Sequence, residues 1–439
     1  MKVLLLAAGR SQRMQPIPDK NFLFFLGKPL IVHQIQSLIK AGFDDFAVIG
    51  GNHNLDKLKT LPQDYDLKDI NYTVIEQQNL DEGMAGAVIA CEEIIDGDPI
   101  CIVSSNDIVD EKAYELVINE ALDEEVDSVI VGKKVDKYFP GGYLEIDENG
   151  FIKSIVEKPG EGKEPSDLVN IVVHCHKNPK KLIEELKKVS STRDDRYEAT
   201  LDSLIKGGLK IKAAQFDGYW QPVKFPWHIF NVMKYFFGKM EKSISKNAQI
   251  AESAIIKGDV IIEDGAKIFE NATISGPAYI GKDVIIANSS LVRDSMVNEG
   301  CVVGFSTEVA RSYLGKNVWT HTNYIGDSII SDNCSFGSGT VTGNLRLDEK
   351  DIPVNVRGEK MSTGTNKFGL ITGENIRCGI NTSFMPGVKI GSNCMIGAGL
   401  VIPYDIDDNK FVKGHIELDV RDNKAELDSS ARDEMRGKI

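Results

Sequence analysis

The chain has 439 residues, of which 42% are hydrophobic and 26% are charged. This composition is that of an ordinary globular protein, and the length exceeds a typical single domain, so two domains are expected. The formal net charge of −14 argues against nucleic acid as a partner, because non-specific binding to nucleic acid needs a basic surface.

The first 235 residues read as alternating strands and helices. Val3 to Ala8 and Ile100 to Ser104 are apolar runs typical of buried strands, and Leu30 to Ala41 has helical spacing. This alternation predicts a Rossmann-like α/β domain, with a parallel sheet covered by helices on both faces. The N-terminal apolar run is too short to span a membrane and lacks a basic region with a cleavage site, so a cytoplasmic protein without a membrane partner is expected.

A small-residue turn, residues 7–11, follows the first predicted strand. Backbone N–H groups in such a turn approach phosphate oxygens closely, and the later Arg13 and Lys20 would neutralise a triphosphate. The turn, the two cations and the following Gly27-Lys28-Pro29-Leu30 resemble the sugar-1-phosphate nucleotidyltransferases, the pyrophosphorylases that make nucleotide sugars. Further matches follow in that family's order: Gln78 with Gly83, Asn106-Asp107, Gly142, Glu157-Lys158-Pro159, Asn170, and Gly218-Tyr219-Trp220 with Pro226-Trp227.

The resemblance implies an in-line attack by a sugar phosphate on the α-phosphorus of a nucleoside triphosphate, UTP or dTTP, with release of pyrophosphate. Such chemistry is mostly positioning plus charge neutralisation by a divalent ion and cationic side chains. The roles implied are phosphate binding by Ala8, Gly9, Arg13 and Lys20, contacts to the nucleotide by Gln78 and Gly83, Mg²⁺ binding by Asp107, and sugar binding by Gly142, Glu157 and Asn170.

Some positions depart from the family's pattern. Ser11 stands where a second glycine is usual, Met84 where a threonine is common, and Pro222 aligns with the second metal-binding Asp or Asn. Proline cannot ligate a metal through its side chain, and the nearby Lys224 replaces a usual glycine. Either the Lys224 ammonium supplies part of the metal's charge, or the domain binds its ligands without turning them over.

The sequence His174-Cys175-His176 places two histidines on one face of a strand. The apolar run Val169 to Val173 before it favours a strand end over a metal site. The seven cysteines are scattered and form no CxxC pair, which indicates reduced and mostly buried thiols.

From residue 250 aliphatic residues recur every six positions, a period that fits neither a helix nor a single strand. It fits a coil of three short flat sides, whose stacked turns create a continuous core. The pattern resembles the hexapeptide repeat of left-handed parallel β-helix proteins, a family rich in trimeric acyltransferases. The register comprises Ile250, Ile256, Ile262, Ile268, Ile274, Ile280, Ile286 and Val292, and then Ile390, Ile396 and Ile402.

The domain boundaries follow from these patterns. Residues 1–235 form the nucleotidyltransferase-like domain, 236–246 a linker, 247–414 the β-helix and 415–439 a charged tail. The hexad register weakens at 298–320 and again at 344–371, and in repeat proteins such interruptions are loops thrown out from one face.

The segment from Thr320 to Lys350 resembles the acetyltransferase half of the bifunctional glucosamine-1-phosphate acetyltransferases and N-acetylglucosamine-1-phosphate uridylyltransferases, in particular their archaeal branch. A neutral imidazole suits removal of a proton from an attacking amine, which makes His321 the candidate catalytic base. Acetyl-CoA is the implied co-substrate. The remaining candidates are Tyr324, Asn344 and Lys350 for the sugar phosphate, and Gly339 and Ala398, in two glycine-rich turns, for acetyl-CoA.

The combined reading is a bifunctional enzyme that acetylates an amino-sugar 1-phosphate and then transfers a nucleotidyl group to it, assembled as a homotrimer through the β-helix. Two alternatives stay open. The β-helix could serve only assembly and effector binding, or the N-terminal domain could bind nucleotide or sugar without turnover.

Overall fold

The computed structural model describes residues 1–191, 195–415, 417–426 and 430–438. Its N-terminal half alternates strands and helices. The strands are β1 (Lys2–Leu6), β2 (Phe24–Phe25), β3 (Lys28–Pro29), β4 (Asp45–Gly50), β5 (Asn71–Glu76), β6 (Ile100–Ser104), β7 (Asp107–Val109), β8 (Ser128–Lys134), β9 (Gly142–Ile146), β10 (Ile152–Glu157), β11 (Leu168–His176), β12 (Ile211–Gln215) and β13 (Trp220–Pro222). The helices are α1 (Leu30–Lys40), α2 (Leu55–Asp64), α3 (Gly83–Ile89), α4 (Lys112–Glu120), α5 (Pro179–Lys188), α6 (Arg196–Lys206) and α7 (His228–Lys239).

Nine of these strands form one mixed sheet around a parallel centre. The order β10-β9-β11-β6-β1-β4-β5 runs across it, with β8 paired to β11 and β12 paired to β8. Strands β6, β1, β4 and β5 are parallel, and the central strands β6, β1 and β4 consist mainly of buried apolar residues, whereas the edge strand β5 is partly exposed. Helices cover the two faces and enclose a separate apolar core on each. The predicted α/β domain is confirmed.

The C-terminal half consists almost entirely of short strands. They are β14 (Ser243–Ile244), β15 (Gln249–Ile250), β16 (Ile255–Lys257), β17 (Val260–Ile262), β18 (Lys267–Ile268), β19 (Thr273–Ser275), β20 (Ala278–Ile280), β21 (Ile285–Ile286), β22 (Leu291–Arg293), β23 (Met296–Val297), β24 (Val302–Val303), β25 (Glu308–Ala310), β26 (Tyr313–Leu314), β27 (Tyr324–Gly326), β28 (Ile329–Ile330), β29 (Ser335–Phe336), β30 (Val341–Thr342), β31 (Pro353–Val356), β32 (Glu359–Ser362), β33 (Ile371–Thr372), β34 (Arg377–Cys378), β35 (Ser383–Phe384), β36 (Lys389–Ile390), β37 (Met395–Ile396), β38 (Val401–Ile402) and β39 (Phe411–Val412), and helix α8 (Ser430–Arg436) lies in the tail.

All of these strands except the hairpin β31–β32 stack into three parallel faces of a left-handed β-helix. Face D is β14-β17-β20-β23-β26-β28-β33-β36, and face F is β16-β19-β22-β25-β27-β30-β35-β38. Face E contains β15-β18-β21-β24 and β29-β34-β37-β39, joined by bridges from Trp319 to Val302 and Ser335. From Ile262 onward the hexad residues are buried along the axis in one core.

The prediction that the weak register at 298–320 marks a loop is wrong. The coils continue there because some sides shorten from six residues to five, as from Val292 to Val297 and from Val309 to Leu314. At the shortened corners serines stack and accept main-chain N–H groups. Ser312 N donates to Ser295 Oγ at 3.0 Å, and Ser328 N donates to Ser312 Oγ at 3.0 Å. The second interruption does leave the coil, as a segment that contains the antiparallel hairpin β31–β32.

The two halves share an apolar core on the outer side of face D. It combines residues of the N-terminal half with outward residues of the β-helix and with the base of the excursion at 344–371. Phe24 N donates to Tyr313 Oη at 2.9 Å across this contact, and the Phe25 and Tyr313 rings lie 5.7 Å apart. Members from the N-terminal half include Met14, Phe25, Leu30 and Phe236, and members from the β-helix half include Tyr279, Met296, Tyr313, Ile352 and Phe368.

Two further expectations concern cysteines and membranes. The seven cysteines are free and buried, in agreement with the sequence. Within the ranges that the structure describes, no helix is long and apolar enough to cross a membrane.

Candidate active sites

The first site begins at the carboxyl ends of β1 and β6, which meet at one edge because the two strands pair in parallel. The turn that leaves β1 contains buried Ala8 and exposed Gly9, and a side chain added at Gly9 would lie 3.8 Å from Asn106 Nδ2. Ser11 has a φ of 50°, in the left-handed region. Glycine adopts that region without cost, which explains why a glycine is usual at this position.

Lys20 and Asp107 form the charged centre of this site. Lys20 Nζ donates to Val223 O at 2.8 Å, and burial lowers the pKa of Lys20 to about 8 although the Asp107 charge opposes that shift. Burial raises the pKa of Asp107, while a hydrogen bond from Trp220 Nε1 to Oδ2 at 2.9 Å and the charges of Lys224 and Lys20 act in the opposite direction. Arg13 is exposed in the turn Gln12–Met14, and its charge helps to lower the pKa of Lys20.

Strand β13 closes the site against β7. Pro222 is the direct partner of Asp107 in this antiparallel pair, and Pro222 O contacts His228 Nδ1 at 2.6 Å. Lys224 follows, with its Nζ 3.3 Å from Pro140 O and 4.1 Å above the centre of the Phe139 ring. Burial lowers the pKa of Lys224, and Asp107 counteracts that shift.

The three predicted sugar-binding residues lie together. Gly142 is paired with Glu157 between β9 and β10, and a side chain at Gly142 would lie 3.0 Å from Glu157 Oε2 and 3.7 Å from Asn170 Cβ. A side chain at position 142 would therefore crowd the Glu157 carboxylate. Asn170 is almost buried, and its Oδ1 contacts His174 Nε2 at 2.7 Å.

In the segment predicted to contact the nucleotide, Gln77 and Gln78 have different surroundings, which the sequence did not reveal. Gln78 is exposed, as a residue that contacts a ligand would be, whereas the neighbouring Gln77 is buried. Gln77 Nε2 donates to Gly83 O at 2.9 Å and to Asn79 O at 3.0 Å. Gly83 has a positive φ of 56° and begins α3, so Gln77 holds the turn that presents Gln78.

The second site lies at the corner between faces E and F, where turns of successive coils stack. The His321 turn sits between the turns of neighbouring coils, with Gly339 N donating to Thr322 O at 3.0 Å. The stack continues, because Asn381 N donates to Ser338 O and Gly399 N donates to Ile380 O. Gly339 is therefore one coil from His321, and the exposed Ala398 lies two coils further along the same corner.

His321 is exposed, and among the described residues its imidazole makes no hydrogen bond. Its backbone is fixed, because His321 N donates to Asn323 Oδ1 at 2.5 Å and Asn323 Nδ2 donates to the carbonyls of Gly337 and Thr340 at 2.9 Å. The backbone of this turn is therefore fixed, and the turn carries an exposed imidazole.

Asp327 and Arg311, to which the sequence gave no role, lie beside Tyr324 and Asn344 and help to hold them together. Asn344 Nδ2 donates to Tyr324 Oη at 3.0 Å and also to Asp327 Oδ2. Asp327 is buried and forms a two-pronged ion pair with Arg311, with both N–O distances at 2.6 Å. Asp327 lies inside the segment from Thr320 to Lys350, but Arg311, one coil earlier, gave no sequence signal.

Lys350 is exposed and its backbone N donates to Asp348 Oδ1 at 3.4 Å. Within the described part of the chain its side chain makes no hydrogen bond or ion pair to the Tyr324–Asn344 cluster. The predicted role of Lys350 in phosphate binding stays a prediction.

The His174-Cys175-His176 sequence forms the end of β11, as predicted. Both histidines are buried and hydrogen-bonded to Tyr197 Oη. Across the residues described, no group of three or more His, Cys, Asp or Glu side chains could hold a metal ion.

The fold and the two sites define a two-domain group-transfer enzyme. The sequence pattern of the Nucleotidyl transferase family matches residues 2–223. A protein of Methanocaldococcus jannaschii, Bifunctional protein GlmU, is 33% identical over 425 residues, which are 95% of this chain and 98% of that protein. A Bifunctional sugar-1-phosphate nucleotidylyltransferase/acetyltransferase of Sulfurisphaera tokodaii is 32% identical over 421 residues, 94% of this chain and 100% of that protein. Among solved structures, an apo UDP-glucose pyrophosphorylase covers 54% of this chain and 98% of its own, with 19% identity and a TM-score of 0.48.

The similarity to the two bifunctional relatives extends over nearly the whole chain. The chain belongs to the family of bifunctional sugar-1-phosphate nucleotidylyltransferase/acetyltransferases.

Proposed function

We propose that the β-helix acetylates glucosamine 1-phosphate, or its galacto epimer, with acetyl-CoA, and that the N-terminal domain joins the product to UTP with release of pyrophosphate. The proposed acetyl transfer rests on one corner of the β-helix, where the exposed imidazole of His321 lies in a turn next to the Gly339 turn. The relatives' names support both halves.

In the nucleotidyl transfer, Lys20 and Arg13 bind and neutralise the triphosphate, and the turn at Ala8 and Gly9 offers backbone N–H groups to its oxygens. Gln78 and Gly83 contact the base. Glu157 and Asn170 hold the sugar in the cleft above Gly142, so that a phosphate oxygen attacks the α-phosphorus and pyrophosphate leaves.

The residues around Asp107 fit a Mg²⁺ ion that arrives with the nucleotide. Trp220 Nε1 donates a hydrogen bond to Asp107 Oδ2, whereas within the described residues Asp107 Oδ1 receives no hydrogen bond. One carboxylate oxygen is therefore free for a metal. Mg²⁺ is commonly held by one or two carboxylates together with substrate phosphates and water. The ion supplies charge neutralisation on the phosphates, and Asp107 would hold it.

In the acetyl transfer, His321 takes a proton from the amine of the sugar as the amine nitrogen attacks the acetyl carbonyl, and the thiol of CoA leaves. Tyr324, Asn344 and Lys350 bind the sugar phosphate. The stacked turns at Gly339 and Ala398 leave room for the pantetheine arm along the corner of the β-helix.

A homotrimer is part of the proposal. Trp319, Met395 and Phe411 point outward from face E and are 52%, 58% and 63% exposed. Large apolar side chains aligned on one flat face are typical of an interface. Light scattering checks this assembly, and a monomer would contradict it.

A pair of product assays on one purified sample tests the proposal. Thiol release is followed with glucosamine 1-phosphate and acetyl-CoA, and pyrophosphate release with N-acetylglucosamine 1-phosphate, UTP and Mg²⁺. We expect both signals. Thiol release without pyrophosphate, together with tight UTP binding, would instead favour an acetyltransferase whose N-terminal domain only binds, an outcome that Pro222 opposite Asp107 makes worth testing.

A further inference from the structure

A continuous chain of buried polar side chains lies under the proposed sugar cleft. Asn170 Oδ1 contacts His174 Nε2 at 2.7 Å, and His174 Nδ1 contacts Tyr197 Oη at 2.9 Å. The same hydroxyl contacts His176 Nε2 at 3.0 Å, and His176 Nδ1 contacts Ser128 Oγ at 2.9 Å. The relative exposure of these side chains is 9% for Asn170 and at most 2% for the other four. The proposed roles of the substrate-binding residues leave the last four without a function.

With one direction of donation, every hydroxyl and imidazole hydrogen of these side chains has an acceptor. Ser128 O–H donates to His176 Nδ1, His176 Nε2–H donates to the Tyr197 oxygen, and Tyr197 O–H donates to His174 Nδ1. His174 Nε2–H then donates to Asn170 Oδ1. In the reverse direction the hydroxyl hydrogen of buried Ser128 would have no acceptor among the described residues, and an unmade buried hydrogen bond is costly.

Both rings are neutral, which the directional chain requires. Burial lowers the pKa of His174 to about 3 and that of His176 to about 4. A neutral imidazole has one donor and one acceptor, so each ring transmits the direction set at Ser128 to the next residue.

The amide of Asn170 has nearly the same shape in its two orientations, so its hydrogen bonds decide which end faces the cleft. We infer that His174, held by Tyr197, His176 and Ser128, is a positioning residue that fixes the Asn170 oxygen on the buried side and leaves its NH₂ for the sugar. Asn170 would then act as a donor to an oxygen of the sugar 1-phosphate, a hydroxyl or an acetamido carbonyl. The inference rests on the proposed sugar-binding role of Asn170.

The variant Tyr197→Phe tests this inference, because it removes the hydroxyl that links the two histidines and keeps the ring that stacks on His174 at 5.6 Å. We expect KM for the sugar 1-phosphate in the pyrophosphate assay to rise about fivefold, the effect of one lost neutral hydrogen bond. KM for UTP should change less than about twofold by the same reasoning, since none of the five linked side chains is among the proposed nucleotide-binding residues. Thiol release by the same sample measures the other site and reports that the protein is folded.

Two controls separate positioning from general loss of structure. Tyr114→Phe removes a buried hydroxyl that has no hydrogen-bond partner in the described structure, and it should leave KM for the sugar unchanged. In an Asn170→Ala background the further change Tyr197→Phe should have no effect on KM for the sugar, because the group that it positions is gone.

The outcomes distinguish two failures. If Asn170→Ala leaves KM for the sugar unchanged, the proposed role of Asn170 fails. If Asn170→Ala raises KM but Tyr197→Phe does not, or if the two effects multiply in the double variant, the inference is overturned. Should Tyr197→Phe not fold, Ser128→Ala removes only the terminal hydroxyl, and an unchanged KM for the sugar in that variant would contradict the inference equally.

Discussion

Pro222 is the direct partner of Asp107 in the pairing of β13 with β7, and Lys224 follows it by two residues. A buried proline therefore lies where the family's second metal ligand is expected, and the charge of Lys224 lowers the pKa of Asp107 against the effect of burial. Lys20 acts on Asp107 as well. The site thus combines one carboxylate with two ammonium groups of its own.

Replacing Lys224 by alanine tests whether its charge takes part in nucleotidyl transfer. Removing one preorganised charge from a transition state typically lowers kcat about a hundredfold, and we expect a fall of that order with UTP and saturating Mg²⁺. Lys133→Ala is the matched control, because Lys133 Nζ also donates to a backbone carbonyl, Gly218 O at 2.7 Å, and lies above an aromatic ring, Phe216. Unchanged pyrophosphate release in Lys224→Ala would exclude the charge hypothesis.

The lowered pKa of Lys20 predicts an alkaline limit for the same reaction. Its ammonium is charged below its pKa of about 8 and neutral above it, and the neutral form binds a triphosphate poorly. We expect kcat/KM for UTP to be level at neutral pH and to fall about tenfold per unit above pH 8. A Lys20→Arg variant keeps its charge, so its profile should stay level to higher pH. A wild-type profile that stays flat to pH 9.5 would refute the prediction.

His321→Ala should abolish most of the acetyl transfer. Loss of a general base costs about 10²- to 10⁴-fold, and thiol release should fall within that range while pyrophosphate release from N-acetylglucosamine 1-phosphate is unaffected. His415→Ala, at an exposed histidine outside the corner stack, should retain both activities. Full acetyl transfer by His321→Ala would remove the imidazole from the mechanism.

Asp327→Asn should weaken binding of the amino-sugar phosphate. The substitution keeps the shape of the side chain but removes the charge that holds Arg311 and Asn344. The loss of charge-assisted bonds of this kind predicts a rise of about tenfold in KM in the thiol assay. Asp419→Asn breaks an ion pair with Arg421 in the exposed tail and should change nothing. Equal KM values for the two variants would contradict a positioning role for Asp327.

From Ile262 onward the hexad register predicted the buried residues of the β-helix correctly where each side has six residues, but Ile250, in the first coil, is exposed. It failed between 298 and 320, because there some sides of the coil are one residue shorter and stacked serines fill the corners. The coil continues, but the aliphatic residues are no longer six positions apart. Ser295 and Ser312 are ordinary surface-type residues in a sequence, and only the coil above and below shows what their hydroxyls accept.

Site residues carried by local motifs, such as Lys20, Asp107 and Tyr324, were accessible to sequence reasoning. Arg311 was not, because it meets Asp327 through the stacking of coils rather than through a motif. Tyr197 is similar, since it lies in α6 and reaches His174 only across the packing of that helix on the sheet. Residues that act through a ligand-binding neighbour carry no chemical signature of their own.

The apolar core between the α/β domain and face D has a consequence for modularity. Phe25 and Phe236 on one side and Tyr279 and Tyr313 on the other belong to this one core, so each half contributes large apolar side chains to the contact. Dividing the protein between α7 and β14 would expose this apolar core to water on both fragments. The two halves would then not be independent catalysts. Exchange of either half between relatives therefore requires exchange of the matching contact residues as well.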